Sequence, residues 1–159
     1  MNFQMIPLTE DLVTHVKQEM TDAHGNILQV TEAVSDRGVC RRCLHRFQPG
    51  EKRILFKHRP FQKESVFAEA GPIYVHQHNC KPSSQTLNEY PDEFRPLPLL
   101  LRAYDTEDRQ KSAQLVLDGN AEKIIGEFLQ DPAVAYIHLR DGEYGCYIAR
   151  IERLKHSER

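Results

Sequence analysis

Cys40 and Cys43 stand as C-x-x-C directly behind the turn-forming run Ser35-Asp36-Arg37-Gly38. At that spacing a chain can curl until two sulfurs meet one ion. Zinc favours such thiolates, held at about 2.3 Å in a closed tetrahedral site, so a second pair of ligands has to come from elsewhere. The stretch Ile73 to Cys80 supplies it, with His76 and Cys80 spaced H-x-x-x-C and His78 between them. Fully extended, residues 76 and 80 would lie about 13 Å apart at ~3.3 Å per residue, so the chain must turn near His78-Asn79 for both to reach one ion. His78 paired with Cys80 is the alternative, because residues i and i+2 face one side of a strand. The expected ligand set is Cys40, Cys43, His76 and Cys80, with zinc as the ion and His78 as the substitute for His76.

Two other chemistries use the same residues. Arg41 and Arg42 sit between the first two cysteines, where nearby cations would favour a thiolate. Cys40 would then be a nucleophile with His76 or His78 as its base. A catalytic zinc would leave one ligand position to water. A redox C-x-x-C should open a helix in a βαβ setting, and Leu44-His45-Arg46 does not continue as an apolar helix. The bland reading is two half-buried cysteines beside a polar strand end, and no glycine follows Cys43. Elsewhere, Cys146 is expected in the core of the last hairpin, opposite Leu139, with Ile137 opposite Ile148. Tyr136, His138 and Arg140 then fall on its solvated face. His58 shares a strand face with Ile54 and Phe56 and reads as a core histidine. Glu69 and Glu143 could act as bases, but nothing brings either near a nucleophile. The chain has no P-loop, dinucleotide fingerprint, nucleophile elbow or H-E-x-x-H motif.

The elements that must position these residues follow from periodicity. Residues 2 to 7 read as a strand, and Thr9 caps a helix whose Leu12, Val13, Val16 and Met20 recur at helical spacing. Asp22 to Asn26 breaks it. Strands are expected over Ile27 to Val34, over Arg53 to Arg59 after the turn Gln48-Pro49-Gly50-Glu51, and over Ile73 to His76. From Asn79 to Pro98 the chain carries prolines at 82, 91, 96 and 98 and reads as one long irregular connection. Leu99 to Tyr104 and Lys111 to Leu117 form a hairpin around Asp105 to Arg109. Asn120 caps a second helix, with Ile124, Ile125, Phe128 and Leu129 on its buried face, that stops at Asp131-Pro132. Ala133 to Arg140 and Gly145 to Leu154 make the last hairpin. The expected fold class is α+β, a mainly antiparallel sheet with two flanking helices in a single domain over residues 1–159, the tail 155–159 being disordered.

Composition narrows the function classes. Of 159 residues, 21 are basic and 23 acidic, a net charge of −2, so the basic excess of a nucleic-acid binder is missing. No stretch approaches the roughly 20 apolar residues of a membrane span. At this length one core buries about 70% of the unfolded chain's surface, so neither a metal nor a disulfide is needed merely to fold. The N-terminus lacks the basic and apolar regions of a signal peptide. A cytoplasmic location follows as the expectation, and there thiols stay reduced and bind metal or react rather than pair.

The motifs also carry a resemblance. Val39-Cys40-Arg41-Arg42-Cys43-Leu44, Pro49-Gly50-Glu51 and Ala68-Glu69-Ala70-Gly71-Pro72-Ile73-Tyr74-Val75-His76 are similar to the bacterial domain-of-unknown-function family 1203. So are Leu101-Arg102-Ala103-Tyr104-Asp105, Val134-Ala135-Tyr136-Ile137-His138-Leu139-Arg140 and Gly145-Cys146-Tyr147. The family pattern has Asn where this chain has Asp141. The resemblance implies a bacterial protein and supplies no activity, substrate or partner. Members vary at the positions matching Cys43, His76 and Cys80, which implies a metal-binding subgroup rather than a metal shared by all.

Overall fold

A computed structural model describes residues 2–84 and 87–154. Its elements are α+β, with two helices and antiparallel sheets, and they gather into two compact units. One comprises residues 1–6, 85–145 and 149–159, the other residues 7–84 with 146–148. The expected disordered tail, residues 155–159, lies outside the described residues.

The first unit is built on a five-stranded sheet. In chain order its strands are β1 (Phe3–Ile6), β5 (Leu99–Tyr104), β6 (Gln110–Val116), β7 (Tyr136–Asp141) and β8 (Tyr147–Arg153, whose first two residues group with the second unit), arranged β1-β8-β7-β5-β6. β5 and β6 form the expected hairpin. Its turn is tied by Asp105, whose Oδ1 accepts from the backbone N–H groups of Glu107 and Arg109, both at 2.9 Å. The second helix, α2 (Ala121–Gln130), packs on β5 and β6 with Ala121, Ile125 and Leu129 buried. Asn120 is its N-cap but makes no side-chain capping bond; its own N–H is taken by Asp118 instead. At the other end, the Arg153 guanidinium donates to the carbonyls of Leu129, Asp131 and Val134. That satisfies carbonyls the helix end would otherwise leave orphaned, with a charge that suits the negative pole. Where β7 turns, the Gly142 N–H bonds Pro98 O at 2.8 Å. A Cβ at Gly142 would sit 2.6 Å from the Pro98 backbone, so no larger residue fits.

The second unit holds α1 (Glu10–Glu19) and a three-stranded antiparallel sheet, β2 (Val30–Glu32), β3 (Lys52–His58) and β4 (Gly71–His76), in that order. Thr9 caps α1 as expected, accepting from Leu12 N–H, and Val13 and Val16 are buried. β2 is shorter than the expected Ile27 to Val34. The turn before it explains part of the difference, because Asp22 Oδ2 accepts from Lys57 N–H on β3 at 2.9 Å while Oδ1 holds the N–H groups of His24 and Asn26. A carboxylate thus stands where a strand neighbour would. Burial by itself would raise the Asp22 pKa, but these bonds, with one from the Asn26 side chain, bring it down to about 2. Ile54, Phe56, Ile73 and Val75 point from the sheet into this unit's core, with Val13 and Val16. Arg53, Tyr74 and His76 occupy the opposite face, because side chains alternate along a strand.

Candidate metal centre

Residues 33–51 form a set of nested turns with the cysteine pair at the tip. Ala33 N–H bonds Glu51 O, Phe47 N–H bonds Gly38 O, and Cys40 N–H bonds His45 O. The tip closes with Leu44 N–H on Cys40 O at 2.8 Å. Leu44 has φ +59, a left-handed conformation that glycine adopts freely and a branched residue does not. That geometry costs about 1–2 kcal/mol in an L-residue and persists only where surroundings enforce it. Leu44 is itself buried, so packing substitutes for the absent glycine.

β4 delivers the other half. The chain bends at residues 77–78, directly after the strand, which returns Cys80 toward His76 as the distance argument requires. One ligand atom from each of Cys40, Cys43, His76 and Cys80 falls within 4.8 Å of the others. Cys40 Sγ and Cys80 Sγ are 3.8 Å apart, and Cys43 Sγ lies 3.5 Å from His76 Nδ1. The His76 backbone N–H also points at Cys40 Sγ, at 3.3 Å. Cys40 has no exposed surface, Cys43 and His76 are buried, and Cys80 is half-buried.

Without an ion the cluster divides its protons unequally. Side-chain hydrogen bonds from Cys43 and Cys80 are the largest influences on Cys40, and together with His76 they hold it well below the usual thiol range against burial. Cys43 is driven the other way by Cys40, by Cys80 and by burial. Burial would lower the His76 pKa, but hydrogen bonds with the Cys40 and Cys80 sulfurs, the Cys40 charge and Glu51 raise it to about 10. Shared protons of this kind are what an ion displaces, since thiolate and neutral imidazole are the ligating forms.

The His76 ring is fixed on two sides. Phe47 meets it edge-on at 4.6 Å between centroids, and His78 lies 4.4 Å away. The Arg53 guanidinium stacks 3.9 Å over Tyr74 and 5.4 Å from the Phe47 ring, bracing the same wall.

All four expected ligand residues therefore meet in one place. His78 does not join the sulfurs; it is exposed and groups with Glu51 and His76. Arg41 and Arg42 do not face the thiols. The Arg41 guanidinium donates to Tyr147 O and Val39 O, and that of Arg42 to Leu8 O, so they fasten the turn to its surroundings. A substrate cannot touch Cys40 Sγ in this arrangement, because it is fully enclosed.

Three expectations away from the centre are corrected or refined. Cys146 is half-buried and precedes β8 rather than pairing within it. Tyr136, His138 and Arg140 are buried, not solvated, since β7 is the middle strand of five and its polar face is filled. Tyr104 stacks on Tyr136 at 5.3 Å and lies 4.9 Å from His138, and the Arg150 guanidinium sits 3.8 Å over Tyr136. His58 is half-buried, and burial, with the charge of His24, lowers its pKa to about 4. The sequence marks Glu51 as a turn residue, and the structure sets it beside His76. Its only signal in the sequence is its place at the head of β3, opposite the end of β4.

Residues 38–153 match the model of a family described as a protein of unknown function, DUF1203. The match takes in every residue of the cysteine and histidine cluster. No curated protein and no solved structure matches the chain.

Proposed function

We propose, for a chain that belongs to the DUF1203 family, a function read from its own side chains: it carries a structural zinc ion on Cys40, Cys43, His76 and Cys80. The observation that supports this most is the size of the cluster. A tetrahedral zinc with sulfur at about 2.3 Å and nitrogen at about 2.0–2.1 Å has S···S edges of about 3.8 Å and S···N edges of about 3.6 Å. The two separations named above are 3.8 and 3.5 Å. Three thiolates and an imidazole are a soft donor set suited to zinc, and four protein ligands leave no position for water or substrate. A closed centre of this kind holds structure, and the protein's role on this reading is binding or regulation rather than catalysis at the ion. No described helix is long and apolar enough to cross a membrane. A reducing compartment, the cytoplasm, would keep the thiols available.

Metal content of protein purified without added zinc, measured by mass spectrometry, tests the reading. One zinc per chain is expected, and a stoichiometry near zero overturns it. Cys80→Ser separates a closed centre from an open one. Loss of both metal and local order supports four protein ligands, whereas retained metal would favour three ligands and a water.

A further inference from the structure

His76 Nε2 is buried, and no hydrogen bond satisfies it. The Glu51 carboxylate oxygen Oε2 lies 3.1 Å away, at ion-pair distance but without the directionality of a hydrogen bond. A buried N–H left unpaired costs about 1–3 kcal/mol, and a small ring rotation toward Glu51 removes that cost. The other carboxylate oxygen, Oε1, is anchored by Gln48 N–H at 2.6 Å. Glu51 is anchored again through its backbone, whose N–H bonds Gln48 O and whose O accepts from Ala33. A carboxylate fixed this firmly sets the orientation of the ring beside it.

We infer that Glu51 is the outer partner of the metal centre: it takes the Nε2–H proton of His76 in a hydrogen bond and so presents Nδ1 to the ion beside Cys43. This rests on the zinc reading above. Metal-bound histidines generally give their second N–H to a carboxylate, carbonyl or water, which fixes the tautomer and makes the ligand more basic. The site has the parts for that arrangement, with Nδ1 on the sulfur side and Nε2 on the carboxylate side. His78 and Glu51 also lie close enough to His76 to form a second ion site. Such a site would need His76 to ligate through both nitrogens as an anion, and Glu51 would then be a ligand rather than a partner.

The test compares wild type, Glu51→Ala and Glu51→Gln, loaded with zinc for affinity and with cobalt for spectroscopy. Competition against a chromogenic chelator should show Glu51→Ala binding zinc about 10–100-fold more weakly, with Glu51→Gln recovering part of the loss through its amide oxygen. In the cobalt form, the sulfur-to-cobalt bands should persist in Glu51→Ala while the ligand-field bands shift, because the thiolates stay and the imidazole is reoriented. Equal affinity and unchanged ligand-field bands in Glu51→Ala overturn the role of Glu51 and leave the zinc centre standing. Two metal ions per wild-type chain also overturn it, by making Glu51 a ligand. A wild-type chain that takes up no metal overturns the zinc reading and this inference together.

Discussion

The two units solve the problem of holding a sheet by different means. In the first, β7 is flanked on both sides, and Leu99, Leu101, Ile137 and Leu139 are almost wholly buried beside Ile125 and Leu129 of α2. In the second, β2 is three residues long and exposed throughout, and residues 33–51 contain no strand. Turn hydrogen bonds, one isolated bridge from Val39 to Arg46, and the guanidinium bonds of Arg41 and Arg42 order that stretch. A sheet closed by leucine and isoleucine needs no ion, whereas a run of nested turns ends on three sulfurs and an imidazole. The difference places the cluster that could hold an ion, and with it any dependence on the proposed zinc, in one half of the chain.

Removing the metal is the strongest way to break that comparison. Cys43→Ser or prolonged chelation should abolish bound zinc and speed amide hydrogen exchange across residues 36–51 and 71–80, while amides of β5 and β7 keep their protection. Uniform loss of protection would show that the ion supports both units alike. The metal-loaded chain, if residues 1–159 behave as one domain, should unfold in a single calorimetric transition; two resolved transitions would separate the units.

The complementary change is in the first unit. Leu101→Ala should cost about 2–5 kcal/mol in denaturant unfolding, as expected for a large-to-small change in a packed core, and leave metal content at the wild-type value. Gly142→Ala should cost about 1–3 kcal/mol, the usual penalty for forcing atoms into filled space, because its Cβ would press on the Pro98 backbone. A neutral result there would mean the β7 turn has room to shift.

How much of this could be read from residues alone divides along the same line. The C-x-x-C, the later His76 and Cys80, and even the need for a bend after His76 follow from spacing and chain reach, and the structure brings those four together. Both helices and the β5–β6 hairpin follow from periodicity and turn chemistry. The error at Tyr136, His138 and Arg140 has a physical cause. Alternating polar residues usually mark a solvated face, but here aromatic stacking and a guanidinium over Tyr136 fill it. Cys146 falls outside the strand because hairpin register depends on the length of the loop, and β8 starts at Tyr147, two residues past the expected Gly145. Glu51 was invisible as a site residue because its neighbour His76 is brought alongside only by β3–β4 pairing, in which Arg53 faces His76.

The smallest expected effect sharpens the comparison within the second unit. Burial lowers the His58 pKa from 6.5 to about 4, so between those values the unfolded chain binds the proton more readily than the folded one. His58 therefore contributes stability above about pH 6.5 that is lost as pH falls toward 4. Apo protein carrying His58→Gln should show a flatter pH dependence of stability in that window than wild-type apo protein. Parallel curves would mean His58 titrates alike in both states.

The two halves of the cluster are unequal in what it takes to assemble them. Cys40 and Cys43 share one turn, while His76 and Cys80 arrive 36 and 40 residues after Cys40. Closing a loop of that length costs entropy that no local contact returns, and it is closed here by the β3–β4 hairpin. On the proposed zinc reading, an ion met early in folding would find two ligands and be held loosely, and it would gain the other two only when β4 is in register. Tight capture would then be a late event in the life of the chain, its final step paced by the formation of one hairpin.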